Sequence, residues 1–160
     1  MLSRNRTQAA LIVVACLAGV PAIGLLRATT ALAVDTMTSR DAPDLTSVRT
    51  KIKAKDFQAA LAELKILADT HQHADVYSLM GFSLRKTGDY STALTFYKKA
   101  LDFDADHKGA HEYLGELYVE TGNLPKAREQ LAVLMKLCPQ GCEEQEDLEK
   151  ALASAAPKAN

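Results

Sequence analysis

The length, composition and charge of the chain restrict what it can be. Its 160 residues are enough for one domain, and 24% of them are charged. All 20 acidic residues follow residue 33, whereas three of the 19 Lys and Arg residues precede it, so residues 34–160 carry a net charge of −4. Because nucleic-acid binding depends on clustered Lys and Arg that neutralise phosphates, we expect no nucleic-acid partner.

An apolar segment begins the chain. Two arginines precede an uncharged run at residues 9–26, and Ala31-Leu32-Ala33 has the small residues of a signal-peptidase site. We therefore predict a secretory signal peptide at residues 1–33 and a periplasmic or secreted location for the rest. Two alternatives stay open: an uncleaved inner-membrane anchor with the domain facing the periplasm, and a lipoprotein modified at Cys16. Only this segment would contact a membrane.

The rest of the chain divides into a linker, a domain and a tail. Residues 34–43 are small and polar without periodicity, which is typical of a flexible linker. Apolar residues at helical spacing begin at Leu45, and we predict a folded domain over residues 44–154. Residues 155–160 are expected to form a flexible tail.

The domain repeats itself at an offset of 34 residues. Residues 74–107 align with residues 108–141, and the aligned pairs include Met80-Gly81 with Leu114-Gly115, Gly88 with Gly122, and Ala93 with Ala127. A fainter copy lies at residues 41–73. It keeps the Asp-aromatic-x-x-Ala pattern of Asp56-Phe57 but lacks the Leu-Gly pair.

These units resemble the tetratricopeptide repeat. The family pattern has an aromatic residue, a Leu-Gly pair, a second aromatic, an Ala-x-x-x-aromatic segment and a closing Pro. Its places are taken by Tyr77, Met80, Gly81, Leu84, Ala93, Tyr97 and Ala105 in one unit, and by His111, Leu114, Gly115, Tyr118, Ala127, Leu131 and Pro139 in the next. The resemblance implies an all-α fold, a right-handed α-solenoid of about three helix-turn-helix units with a C-terminal capping helix at residues 142–154.

Local residue chemistry agrees with helix-turn-helix units. Short polar side chains that can cap a helix precede each second helix, at Asp56, Asp89 and Asn123. Gly88 and Gly122 suit the left-handed conformation that ends a first helix. Small residues of the Leu-Gly pairs are expected to let the two helices of a unit approach closely. In the capping helix, Leu148 and Leu152 are predicted to pack inward.

The resemblance also implies a concave groove that holds a segment of a partner protein. Carried over by position, the groove would be lined by Ser78, Phe82, Arg85, Lys86, Glu112, Glu116, Val119 and Glu120. Glutamates where the family's carboxylate clamp has basic residues argue against an acidic C-terminal peptide. A basic or mixed partner segment fits better, although these charges could also be only a solvated face.

Two cysteines, Cys138 and Cys142, flank Pro and Gly at the start of the capping helix. In an exported protein we interpret them as a disulfide that fixes this helix. A reactive thiol and a zinc site completed by His107 and His111 are alternatives. The Cys-Pro-x-Gly-Cys-Glu-Glu ending also resembles small exported tetratricopeptide proteins of alphaproteobacteria.

Motifs for catalysis are missing from the sequence. It has no phosphate-binding Gly-rich loop or His-Glu-x-x-His, and we attribute the Ser-x-x-Lys match at residues 83–86 to chance. We therefore expect no enzyme and no cofactor. The predicted function is a non-catalytic interaction scaffold of the bacterial periplasm, in cell-envelope complex assembly. The alternative is a thiol-redox or metal-handling protein, and self-association stays open.

Overall fold

A computed structural model describes residues 42–155 of the chain. The predicted signal peptide at residues 1–33, nearly all of the predicted linker at 34–43 and all but the first residue of the predicted tail at 155–160 lie outside the described residues. Seven helices are present within them. Their bounds are α1 Thr46–Lys53, α2 Phe57–Thr70, α3 Ala74–Lys86, α4 Tyr90–Phe103, α5 Lys108–Glu120, α6 Leu124–Leu137 and α7 Glu143–Ala155.

The helices stack in sequence order. Pairs α1–α2, α3–α4 and α5–α6 pack internally, and each pair contacts the next through α2–α3 and α4–α5. The first helices also contact one another, α3 with α5 and α5 with α7. This arrangement places the odd-numbered helices side by side, which determines where a groove can form.

The predicted caps of the second helices are confirmed. The side chains of Asp56, Asp89 and Asn123 accept hydrogen bonds from the backbone N–H three residues further on. Gly88 has a φ of 89° and Gly122 a φ of 77°, as the left-handed helix ends require. In the first pair this conformation falls to Lys55, with a φ of 59°, at the place that Gly88 and Gly122 take in the other two pairs.

Close approach within a unit is confirmed for Gly81. A Cβ there would lie 2.6 Å from ring carbons of the fully buried Tyr97 in α4. At Gly115 the three atoms nearest to the Cβ position all belong to Leu148 of α7. Because Gly115 has no side chain, Leu148 of the capping helix α7 can pack directly against the α5 backbone at this position.

Helix α7 closes the C-terminal end of the stack. Leu148 is fully buried and Leu152 is partly buried against the core, as predicted. The other side of α7 exposes charged side chains such as Glu149 and Lys150. Across residues 42–155, no helix combines the length and apolar character needed to cross a membrane.

Candidate partner-binding groove

The odd-numbered helices line a cavity of about 350 Å³, called the groove cavity below. Its volume is at the lower end of the range of about 300–1,000 Å³ that is usual for ligand sites. The lining residues are Arg49 of α1, Asp75, Ser78 and Leu79 of α3, His107 at the start of α5, Gly109, Glu112 and Tyr113 of α5, and Glu143, Glu144 and Asp147 of α7.

Four carboxylates on two helices make one side of this cavity acidic. Glu143, Glu144 and Asp147 lie in the first two turns of α7, and Glu112 of α5 faces the same space. Glu112 is only 9% exposed. Burial, and then the negative charges of Glu116, Asp147 and Glu144, raise the pKa of Glu112 to about 8.

Asp75, another carboxylate of the cavity lining, is hydrogen-bonded within the protein. His107 Nε2 donates to Asp75 Oδ1 over 3.0 Å, while His107 Nδ1 accepts from the backbone N–H of Ala110 and caps α5. The hydrogen bond from His107 lowers the pKa of Asp75, and the same bond raises the pKa of His107. Asp75 therefore already has a hydrogen-bond donor within the protein, whereas Glu143, Glu144 and Asp147 bring negative charge to the cavity from α7.

Ser78 supplies an unusual polar group to the cavity lining. The residue is 2% exposed, and its Oγ has no hydrogen-bond partner among the described residues. A buried hydroxyl without a partner costs free energy, so such groups are rare unless a ligand or water completes them.

Beside the cavity, Arg85 of α3 is fully engaged with α5. Its guanidinium is bound to the carboxylates of Glu116 and Glu120, and its Nε donates to the Tyr97 hydroxyl over 3.3 Å. Arg85 is 2% exposed, so it is not available to a partner. This network joins two neighbouring first helices.

The eight residues predicted for the groove thus have different environments. Ser78 and Glu112 line the cavity, whereas Arg85, Glu116 and Glu120 bind one another. The ring of Phe82 is 4.9 Å from that of Tyr113, centroid to centroid. Lys86 is exposed with its Nζ 5.3 Å from the Phe82 ring, and Val119 packs partly buried against the core.

Other lining residues were missed by the sequence prediction. The α7 carboxylates were treated only as part of a cap, although their place in the first turns next to Cys142 is visible in sequence. Asp75 and His107 were also missed. A signal existed, because His73 and His107 are one repeat apart and each caps the helix that follows.

The proposed zinc ligands His107 and His111 bind different partners. His107 is paired with Asp75, while His111 Nδ1 lies 2.7 Å from Gln130 Oε1 and its Nε2 lies 2.9 Å from the Ala105 carbonyl oxygen. In the part of the chain that the structure describes, no group of three or more His, Cys, Asp or Glu side chains is placed to hold a metal ion.

Cys138 and Cys142 lie as a close pair at the junction of α6 and α7. Their Cα atoms are 5.8 Å apart, which is within the range that a disulfide spans. Cys138 ends α6, and Cys142 directly precedes Glu143, the first residue of α7. The pair therefore stands next to the acidic side of the groove cavity.

Comparison with known proteins places this geometry in a class of folds. Residues 84–152 match the family model described as tetratricopeptide repeat. None of the curated proteins compared with the chain matches it.

Solved structures with the same fold include three that hold peptides or partner regions. The Yersinia enterocolitica chaperone SycD with a peptide of the translocator YopD has 16% identity and a TM-score of 0.58, covering 69% of this chain and 84% of that one. The first TPR of Spaghetti (RPAP3), bound to the HSP90 peptide SRMEEVD, has 13% identity and a TM-score of 0.60, covering 70% and 90%. PcrH with the chaperone-binding region of PopB has 17% identity and a TM-score of 0.57, covering 74% and 100%. These similarities confirm the predicted right-handed α-solenoid of about three tetratricopeptide units with a C-terminal helix.

Proposed function

We propose that this chain is a non-catalytic interaction scaffold of the bacterial periplasm, which binds a segment of a partner protein in the groove cavity during assembly of a cell-envelope complex. The observation that carries the proposal is the cavity itself. Successive first helices and α7 build it from one side of the stack, where an extended or helical segment can contact several helices at once.

The fold-level similarity supports this proposal. SycD, RPAP3 and PcrH are each described with a bound peptide or partner region, and each shares the solenoid of this chain. The identities of 13–17% support a shared mode of using the fold, and they do not indicate a shared partner.

The charge of the cavity favours a basic or mixed partner segment. The α7 carboxylates would repel an acidic peptide, and Arg85 is already neutralised by Glu116 and Glu120. A segment that brings positive charge to this side would gain both attraction and relief of the repulsion among the carboxylates.

The location outside the cytoplasm is part of the same proposal. Its basis is the leader-like sequence of residues 1–33 and the cysteine pair, since disulfides persist in oxidising compartments. The Cys-Pro-x-Gly-Cys-Glu-Glu segment at residues 138–144 supports kinship with the small exported proteins of alphaproteobacteria.

The cysteine pair also bears on the alternative function in thiol or metal handling. Its position between α6 and α7, with Cys138 only 7% exposed, favours a structural disulfide over a reactive site. Mass spectrometry of protein from the native envelope, without reductant, tests both points. We expect a chain that begins at Val34 and has no free thiol at Cys138 or Cys142, whereas free thiols would favour the alternative.

Site-specific crosslinking in cells tests the scaffold function. A photo-crosslinking amino acid replaces Arg49, which is exposed and lines the groove cavity, and Lys136, which is exposed on α6, serves as the matched control. We expect a discrete crosslinked adduct from position 49 alone. The adduct should disappear when Glu143 and Glu144 are both changed to Lys. Equal adducts from positions 49 and 136, or none from position 49, would contradict the proposal.

A further inference from the structure

We propose that Ser78, Glu112, Glu144 and Asp147 form a subsite for one cationic side chain, an arginine or lysine, of the bound partner segment. This inference rests on the proposed function, because the groove must hold a segment before one of its side chains can enter the cavity. It adds which side chains of the groove bind the partner and the chemical class of the group that they bind.

The hydrogen-bonding groups of the subsite suit a ligand that donates, because carboxylates accept and the Ser78 hydroxyl can accept as well as donate. Carboxylates accept hydrogen bonds, and the hydroxyl of Ser78 has no partner among residues 42–155. The side-chain carboxylates of Glu112 and Glu144 likewise accept no hydrogen bond in this part of the chain. The carboxylate of Asp147 accepts one, from the exposed Lys150 over 2.9 Å. An ammonium offers three donors and a guanidinium offers five, and neither brings an acceptor that the carboxylates would repel.

The charges around Glu112 point the same way from each helix. Glu144 and Asp147 on α7 are negative, whereas Arg85 on α3 forms ion pairs with Glu116 and Glu120 of α5. Arg49 and His107 line the same cavity, and His107 is paired with Asp75. The four lining carboxylates Asp75, Glu143, Glu144 and Asp147 outnumber two nearby cations, Arg49 in the lining and Lys150 beside Asp147, so a cation that enters the cavity meets a net negative charge.

A metal ion is a poorer occupant than an organic cation. Divalent ions need several oxygen ligands at short, fixed distances, and the described residues contain no group of three or more candidate ligands placed for one. An ammonium or guanidinium accepts longer and more varied contacts, which suits carboxylates on two separate helices.

Occupation of the subsite is coupled to a proton. Glu112, whose pKa is raised to about 8 by burial and by the neighbouring carboxylates, holds a proton at neutral pH in the free protein. A cation favours the ionised carboxylate, so binding releases this proton. Affinity for the cation therefore rises as the pH increases through the pKa of Glu112.

Two-dimensional NMR of the ¹⁵N-labelled full chain, titrated with short alanine peptides, tests the subsite. The peptides are blocked at both ends and carry one central arginine, lysine or norleucine. We expect the arginine and lysine peptides to shift the amides of Gly109, Glu112 and Asp147, with Kd values at least roughly tenfold below that of the norleucine peptide. Equal affinity for norleucine and arginine peptides would overturn the proposal.

Matched variants show which side chains determine the affinity for the arginine peptide. Glu112→Gln should raise the Kd of the arginine peptide by roughly tenfold, and Asp147→Asn should weaken it similarly. Glu149→Gln, which removes one exposed charge from the other side of α7, should leave the Kd unchanged. Preserved amide spectra of the three variants show that they are folded, and equal Kd values across the three would contradict the subsite.

The pH dependence and a small free cation complete the test. In the native chain the arginine peptide should bind roughly tenfold more tightly at pH 9 than at pH 6.5, and this gain should vanish in Glu112→Gln. Propylguanidinium alone should bind more weakly than the peptide, and equal binding would overturn the assignment to a partner segment. If adducts form at position 49 in cells while the arginine preference is missing, the scaffold function stands and the subsite alone is wrong.

Discussion

At the scale of single residues, Gly81 shows how tightly α3 packs against α4. A Cβ at this position would lie 2.6 Å from the ring of Tyr97, which is fully buried and whose hydroxyl is bound by Arg85. The ring has no free space to move into, because packing and this hydrogen bond both fix it. A single methyl group would therefore disturb both the contact between α3 and α4 and the network to α5.

Gly81→Ala should lower the free energy of unfolding by about 1–3 kcal/mol through this overpacking. Gly109→Ala is the matched control. A Cβ there finds its nearest neighbour at an ordinary 3.5 Å, and the helix propensity of Ala should leave stability unchanged or raise it by about 1 kcal/mol. Denaturant titration measures both. Equal destabilisation by the two substitutions would show that the Tyr97 contact has no special cost.

Glu112 gives a second prediction at this scale, from its titration. Its pKa is raised from 4.5 to about 8, so the folded state holds a proton that the unfolded state has released. Folding stability therefore falls as the pH rises from about 4.5 to about 8, since the folded state then binds more protons than the unfolded state.

Glu112→Gln should remove this dependence. We expect the variant to match the native chain near pH 4.5 and to exceed its free energy of unfolding by roughly 1 kcal/mol or more at pH 9. Thermal unfolding at several pH values provides the comparison, with the exposed Glu149→Gln as the control. A constant difference at all pH values would argue against a raised pKa in the free protein.

At the scale of elements, the junction between α6 and α7 combines three features within a few residues. Cys138 ends α6, Gly141 takes a φ of 88° in the turn, and Cys142 precedes the acidic first turn of α7. A disulfide here closes a loop of only a few residues, so it stabilises the chain less than the closing of a long loop would. Its larger effect is on the position of α7 relative to α5, which determines the acidic side of the cavity.

Replacing both Cys138 and Cys142 by Ser should cost about 2 kcal/mol in the chain-entropy description. The loss should be local, so amide hydrogen exchange is expected to become faster in α7 and to stay unchanged in α3 and α4. Gln140→Ser, which changes an exposed position in the same turn, is the control. Unchanged exchange in α7 would mean that Leu148 alone holds this helix in place.

The elements also show what sequence can predict. The caps at Asp56, Asp89 and Asn123 are local, because each side chain bonds a backbone group three residues away, and they were predicted correctly. The contact of Gly115 with Leu148 was not predicted, since Leu148 is distant in sequence and its position depends on how α7 docks. Local chemistry fixes helix ends, whereas the partners of packing glycines depend on tertiary structure.

At the scale of the whole molecule, the repeat offset made the solenoid predictable, because two units carry the same pattern of small and apolar residues and the first unit keeps part of it. The groove was harder to predict. Arg85 looked like a lining residue, but Glu120, 35 positions further along, binds it in the folded chain. The acidic side of the cavity comes from α7, which follows the repeats and has no counterpart within them.

Helix α7 also limits how copies of this chain can assemble. It occupies the place on α5 and α6 where another repeat would stack, and it presents Glu146, Glu149 and Lys150 outward. A second copy could stack there only by desolvating these charges, so the array cannot grow from its C-terminal end. Because an end-to-end filament needs both ends of the stack, we expect this chain to form none.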